Sequence, residues 1–242
     1  MHRSGEAAIV VAHRGASAHV PENTLPAFAA AWAAGALWVE ADTQPTADGV
    51  PVILHDPDLH RTTTGSGPVR EHSVASLASV EVLGLPGARI PTLSELLALL
   101  TPERAVLLEI KGEHSRGDVA AIVEAVRNCR YGDRVFLQSF EVSALAELAA
   151  IAPRRPFGLL VTELDDDPVG RCAQLGATAC NPHYRAVLNN PGVVSQLRAA
   201  GISVAVWTSD DPADWATLTA MGVDAIITNT PAELLAWQAT RR

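Results

Sequence analysis

"LWVEADTQPTADGVPVILH", residues 37–55, places two strand-like runs on either side of Asp48-Gly49. Aspartate and glycine both tolerate positive φ, so the pair predicts a two-residue hairpin turn. Folding the chain about that turn lays 50–55 antiparallel beside 42–47. With the centre between residues 48 and 49, Asp42 falls opposite His55, their Cβ atoms about 4.5–5.5 Å apart. Pro45 and Pro51 each lack a ladder donor, which makes the pairing ragged.

Outward from the hairpin, the chain carries nine such runs, at 8–13, 37–43, 50–55, 105–111, 134–140, 156–162, 177–182, 203–209 and 224–229. Alanine-rich helical stretches separate most of them, at 22–35, 91–100, 117–130, 141–152, 191–201, 211–222 and 230–239. Thr92 with Glu95, and Thr230 with Glu233, have capping-box spacing, and Gly35, Gly201 and Gly222 stand where helices stop. Repeated strand–helix units predict a parallel sheet under helices, and a closed barrel of this kind has eight strands. Assigning 50–55 to the hairpin arm leaves eight. The expected fold is an α/β chain in the (β/α)8 TIM-barrel class, one domain over 1–242. It has a β-hairpin arm after the second strand and an irregular insertion over the barrel mouth near 66–90.

A chain of 242 residues that is 48% hydrophobic can bury the core such a barrel needs. No apolar stretch approaches the length of a membrane span. The first strand follows within a few residues of the start, without a basic segment or apolar leader, so the expected location is cytoplasmic. Cys129, Cys172 and Cys180 are odd in number and widely spaced, as core thiols in a reducing compartment would be. A formal charge of -9 argues against nucleic acid or an anionic membrane as a stable partner.

In these barrels the chemistry lies at the C-terminal strand ends. Those ends supply His13 and Arg14, Glu40 and Asp42, Glu109 and Lys111, Gln138 and Ser139, and Trp207 and Thr208. Side chains alternate along a strand, so Glu40 shares a face with Asp42, and Glu109 with Lys111. Both pairs interrupt apolar runs. Three buried carboxylates in one layer repel unless a cation lies among them, and hard oxygen donors suit Mg²⁺ or Ca²⁺. The competing reading is an ion-pair network with Arg14 and Lys111, but such a network has no use for His13. A dication, Arg14 and Lys111 together define a site for a multi-oxygen anion. His13 and His55 flank it, and imidazoles titrating near ~6.5 can act there as general base and general acid. The remaining histidines (His2, His19, His60, His72, His114 and His183) read as structural or surface residues.

These residues, in this order, resemble the glycerophosphodiester phosphodiesterase family. The motifs that carry the likeness are "HRG" at 13–15, "ENT" at 22–24, "EAD" at 40–42, "DGVPVILHD" at 48–56, "RTTTG" at 61–65 and "EIK" at 109–111. "QSF" at 138–140, "VWT" at 206–208 and "GVDAIITNTP" at 222–231 complete the set. The resemblance implies a metal-dependent barrel that cleaves glycerophosphodiesters to sn-glycerol 3-phosphate and an alcohol. It implies one divalent cation held by Glu40, Asp42 and Glu109, phosphate contacts from Arg14 and Lys111, and His13 and His55 as the acid–base pair. Trp207 is expected either to wall the glycerol or alcohol pocket or to sit in the core. The short insertion resembles small cytosolic bacterial members. Two departures stand out: Asp210 occupies a position where many members carry Asn, and Asn229 follows Thr228 where the family carries Asp. Water and the glycerol 2-hydroxyl both remain open as nucleophile. Two rival readings are a lysophospholipid- or phosphoinositide-directed phosphodiesterase and a noncatalytic phosphate-ligand binder.

Overall fold

The β-branched and apolar runs do become strands, and the computed structural model, which describes residues 7–241, shows how they close. They are β1 (Ile9–Ala12), β2 (Trp38–Pro45), β3 (Pro51–Ile53), β4 (Ala105–Ile110), β5 (Val135–Ser139), β6 (Phe157–Val161), β7 (Ala179–Pro182), β8 (Ser203–Val206) and β9 (Ala225–Thr228). The sheet runs β1-β9-β8-β7-β6-β5-β4-β2, and β1 pairs with β2 to close the ring, so eight parallel strands form a barrel. β3 lies outside it, antiparallel to β2.

Ten α-helices accompany the strands among the described residues. They are α1 (Leu25–Ala33), α2 (Val74–Leu77), α3 (Leu93–Leu97), α4 (Arg116–Asn128), α5 (Val142–Ile151), α6 (Pro168–Leu175), α7 (Tyr184–Leu188), α8 (Val193–Ala199), α9 (Pro212–Met221) and α10 (Pro231–Ala239). The Thr92–Glu95 capping box forms at α3. The one expected at Thr230 does not: that hydroxyl meets Thr228, and Glu233 instead accepts from His19 at 2.9 Å. Ser115 and Asp118 form a capping box at α4 that the sequence reading did not mark.

Alternation sorts each strand into two layers. Val39, Ala41, Val106, Leu108 and Ile110 face outward into the core under the helices, with Phe28, Leu93, Ile122 and Leu145. Val11, Leu107 and Ile227 face the barrel interior. Glu109 shares the parity of Leu107 on β4, and Glu40, level with Leu107, shares that of Asp42 and Trp38 on β2, so the pleat turns three carboxylates inward. In the β2–β4 register Asp42 stands beside Glu109.

The hairpin differs from its expected register by one residue. Thr43 pairs with Ile53 and Pro45 with Pro51, and the Leu54 amide donates to the Asp42 carbonyl at 3.0 Å, so Asp42 faces Leu54 rather than His55. The loop has three residues, not two. Gly49 N–H donates to Thr46 O at 3.0 Å, Thr46 N–H to Val50 O at 3.3 Å, and only Gly49 has positive φ, at 73°. That is a type I turn closed by a left-handed glycine. Asp48 instead accepts from the Thr46 hydroxyl at 2.6 Å and from the Val74 amide at 3.2 Å, tying the hairpin tip to α2.

The segment near 66–90 is more ordered than expected. Val69, Leu77 and Ile90 join Val52, Leu54 and Leu59 in a separate buried cluster, so it packs on the arm with a small core of its own.

Candidate active site

The first loop is built around two residues in an uncommon conformation. Arg14 and Asn23 have φ of 56° and 57°, a region that costs a non-glycine residue roughly 1–2 kcal/mol. Both are held there by carboxylates. The Arg14 amide donates to Glu40 Oε2 at 3.0 Å, while Asn23 Nδ2 donates to Asp42 Oδ2 at 2.8 Å. Charge-assisted bonds of this kind offset the strain. Gly15, with φ of 85°, lets the chain pass α1, because a Cβ there would lie 2.6 Å from the Ala27 carbonyl carbon. Thr24 then caps α1 by accepting from Ala27 N.

Glu40, Asp42 and Glu109 converge: each offers one oxygen, and the three lie within 4.8 Å of one another. All are buried. Lys111 Nζ lies 2.9 Å from Glu109 Oε1 and 3.7 Å from Asp42 Oδ1, and Arg14 Nε lies 3.2 Å from Asp42 Oδ2. Two cations therefore face three carboxylates. Glu40 Oε1 and Asp42 Oδ1 are buried without a hydrogen-bond donor. Orphaned carboxylate oxygens aimed at a common centre fit a hard divalent cation, which would satisfy them. Without one, burial pushes Glu40 well above the usual carboxylate range, with Asp42 and Glu109 adding repulsion. Burial and then Asp42 raise Glu109 to about 7. Asp42 is also buried, but Arg14 and Lys111 outweigh that and hold it low.

The two imidazoles differ in what stands behind them. His13 Nδ1 donates to Asn229 Oδ1 at 2.7 Å, and its Nε2 lies 3.9 Å from Glu40 Oε2. Burial, reinforced by Arg14, lowers it to about 4. His55 Nδ1 instead meets a carboxylate, Asp56 Oδ1, at 2.5 Å. Burial lowers His55 too, opposed by Asp42 and Asp56. Its main-chain carbonyl accepts from Gln44 Nε2 at 3.0 Å, fixing the residue just past β3.

A line of alternating charges joins the two halves. Asp56 binds Arg61, whose Nη2 donates to Glu22 Oε1 at 2.7 Å, and Glu22 Oε1 accepts from Arg14 Nη1 at 3.0 Å. Arg61 holds Asp56 down at about 2.

His13, Arg14, Glu40, His55, Glu109, Lys111 and Trp207 line one cavity of about 240 Å³, with Gln138, Phe140 and Thr208. Trp207 is thus at the pocket wall, edge-on to Phe140 with centroids 5.3 Å apart, its Nε1 donating to Asn181 O. Ser139 is turned away, donating to Ile110 O at 2.6 Å. Of the histidines read as structural or surface, His183 stacks edge-on against Trp207 at 5.0 Å, and His2 lies outside the described residues. A larger cavity at the other end of the barrel, about 450 Å³, has Asp224 as its one ionisable lining group, against six in the cavity at the strand C-termini.

Glu22, Asn23, Asp56, Arg61 and Phe140 have no role assigned from the sequence, although all five fall inside the motifs at 22–24, 48–56, 61–65 and 138–140. Asp210 and Asn229 stand in the sequence as separate departures. They touch: Asn229 Nδ2 donates to Asp210 Oδ2 at 2.6 Å.

A barrel with an acidic centre, two cations and two imidazoles at its strand ends defines a class of enzyme that cleaves phosphate esters. The particular family follows from comparison. Residues 13–233 match the model of the glycerophosphoryl diester phosphodiesterase family, and the chain belongs to that family. It is 32% identical over 236 residues to a glycerophosphodiester phosphodiesterase of Caldanaerobacter subterraneus subsp. tengcongensis, covering 94% of this chain and 96% of the other. Among solved structures, it superimposes on an Oleispira antarctica phosphodiesterase in complex with the product sn-glycerol-3-phosphate. The TM-score is 0.89 at 29% identity, over 95% of this chain and 96% of that one. A glycerophosphodiester phosphodiesterase from Agrobacterium tumefaciens gives a TM-score of 0.83 at 28% identity, covering 95% and 99%.

Proposed function

We propose that this enzyme hydrolyses glycerophosphodiesters to sn-glycerol 3-phosphate and an alcohol, using one divalent cation, Mg²⁺ or Ca²⁺, held by Glu40, Asp42 and Glu109. The observation that carries this reading is the pair of orphaned oxygens, Glu40 Oε1 and Asp42 Oδ1, in a carboxylate cluster whose Glu40 and Glu109 line a pocket that also presents both imidazoles. A cation bound there supplies positive charge to a phosphate oxygen as charge builds in the transition state. Arg14 and Lys111 bind the remaining nonbridging oxygen and are already fixed by their carboxylates, so little reorganisation accompanies the reaction. His13 takes the proton of the nucleophile at Nε2. His55 returns a proton to the departing alkoxide, and the Asp56 carboxylate on its Nδ1 stabilises the charged ring that does so. Trp207 and Phe140 form the apolar side of the pocket, against the carbon skeleton of the substrate. The same reading places the enzyme in the cytoplasm, which three unpaired thiols suit.

The test is a turnover assay with glycerophosphocholine, glycerophosphoethanolamine and a lysophospholipid, before and after exhaustive chelation. Turnover of the first two, lost on chelation and restored by Mg²⁺ or Ca²⁺, is expected. Preference for the lysolipid would favour the lipid-directed reading, and binding without turnover a phosphate-ligand binder. Phosphorus NMR of the same reactions distinguishes water from the glycerol 2-hydroxyl as nucleophile, since only the latter passes through a cyclic phosphate.

A further inference from the structure

His13 does not stand on Asn229 alone. Asn229 has an amide, whose oxygen only accepts and whose nitrogen only donates. Which end meets His13 therefore decides which ring nitrogen of the neutral imidazole carries the proton. Three donors converge on Asp210: the Thr228 hydroxyl and the Asn229 amide N–H both reach Oδ1 at 2.7 Å, and Asn229 Nδ2 reaches Oδ2 at 2.6 Å. A carboxylate cannot donate, so Asp210 claims the Nδ2 end of Asn229. The Oδ1 end is left to accept from His13 Nδ1 at 2.7 Å and from Ser17 Oγ at 3.0 Å.

We infer that Asp210 and Asn229 act as a positioning pair that locks neutral His13 in the Nδ1–H tautomer, keeping the Nε2 lone pair on the cavity side. The inference rests on the proposed role of His13 as base and adds two residues outside the pocket lining to that reaction. Neither touches the reacting atoms in this arrangement; both act through the ring.

The pair is also reversible in a specific way. In Asp210→Asn, the new amide oxygen still accepts from Thr228 and from the residue 229 amide, so its nitrogen faces Asn229 Nδ2, donor against donor. Asn229 relieves this by flipping, presents Nδ2 to His13, and selects the Nε2–H tautomer. In Asn229→Asp, two carboxylates oppose each other. In the double exchange every contact is remade. The amide at 210 accepts the same two donors through oxygen and donates through nitrogen to the carboxylate at 229, which in turn accepts from His13 Nδ1 and Ser17.

Both singles and the double exchange are to be assayed with Mg²⁺ and glycerophosphocholine, and the His13 tautomer read by long-range ¹H–¹⁵N NMR. Asp210→Asn is expected to move the proton to Nε2 and lower kcat by about 10²-fold, the low end of a general base's contribution, with little change in KM. The double exchange is expected to restore the Nδ1–H tautomer and bring kcat within about tenfold of wild type. An Nδ1–H signal that persists in Asp210→Asn overturns the inference, as does a double variant no better than the singles. If Asn229→Asp fails to fold, the other two variants still decide the matter. The tautomer readout needs no turnover, so an enzyme inactive on every glycerophosphodiester would refute the proposed function without touching this result.

Discussion

In the proposed mechanism His13 and His55 make opposite proton transfers, and their partners differ in a way that suits those roles. The neutral amide oxygen behind His13 supports a charged ring through a neutral acceptor only, whereas His55 has the Asp56 carboxylate, whose charge strengthens that support. Replacing either by alanine is expected to lower kcat by about 10²–10⁴-fold, the range for a general acid or base, measured at saturating metal. Wild-type rates in both variants would refute the roles given to them. Residues such as Glu40, Asp42, Glu109 and Lys111 were legible in the sequence because each is a charge inside an apolar strand, where burial makes charge conspicuous. Glu22, Asp56 and Arg61 were not, because in loops rich in charge they look like solvated side chains. Only the folded chain brings Arg61 within 2.7 Å of Glu22.

At the level of elements, the barrel itself was readable from strand count and spacing, and the error in the hairpin shows where such reading stops. Asp48-Gly49 fits a two-residue loop as well as the last two positions of a three-residue loop, and pattern alone does not choose. The choice was made by contacts distant in sequence, with Asp48 reaching the Val74 amide. Helices α6 and α7 also escaped notice, being short segments of eight and five residues. Two glycines separate conformational from steric demand. Gly49 needs positive φ but has open space around it, so Gly49→Ala is expected to cost about 1–2 kcal/mol. Gly15 needs positive φ and also meets the Ala27 backbone, so its alanine variant must move α1 or the loop bearing Arg14. At about 2–4 °C per kcal/mol for a chain of this size, Gly49→Ala is expected to lower Tm by about 2–8 °C. Gly15→Ala is expected to lower it further and to impair kcat as well. Equal Tm losses with activity retained in both would contradict this account.

For the molecule as a whole, the proposed cation site would couple stability to pH and to metal binding. Glu109 titrates at about 7 in the folded chain against an ordinary value of 4.5. Between those values the folded state keeps a proton that the unfolded chain has released, so this group lowers stability as pH rises through that window. A bound dication displaces the proton and reverses the trend. Mg²⁺ is therefore expected to raise Tm more at pH 8 than at pH 5, as followed by scanning calorimetry. An Mg²⁺ increment independent of pH would place the ion elsewhere.

The ring of eight staves carries Arg14, Lys111 and the carboxylates, but β3 hangs outside it and delivers His55 from beyond its end. The barrel's closure therefore does not depend on the segment between Pro51 and Thr92. That stretch packs on the arm through its own small core, so its far tip is free to vary in length while the stem from Pro51 to Arg61 and the frame of staves stay unchanged.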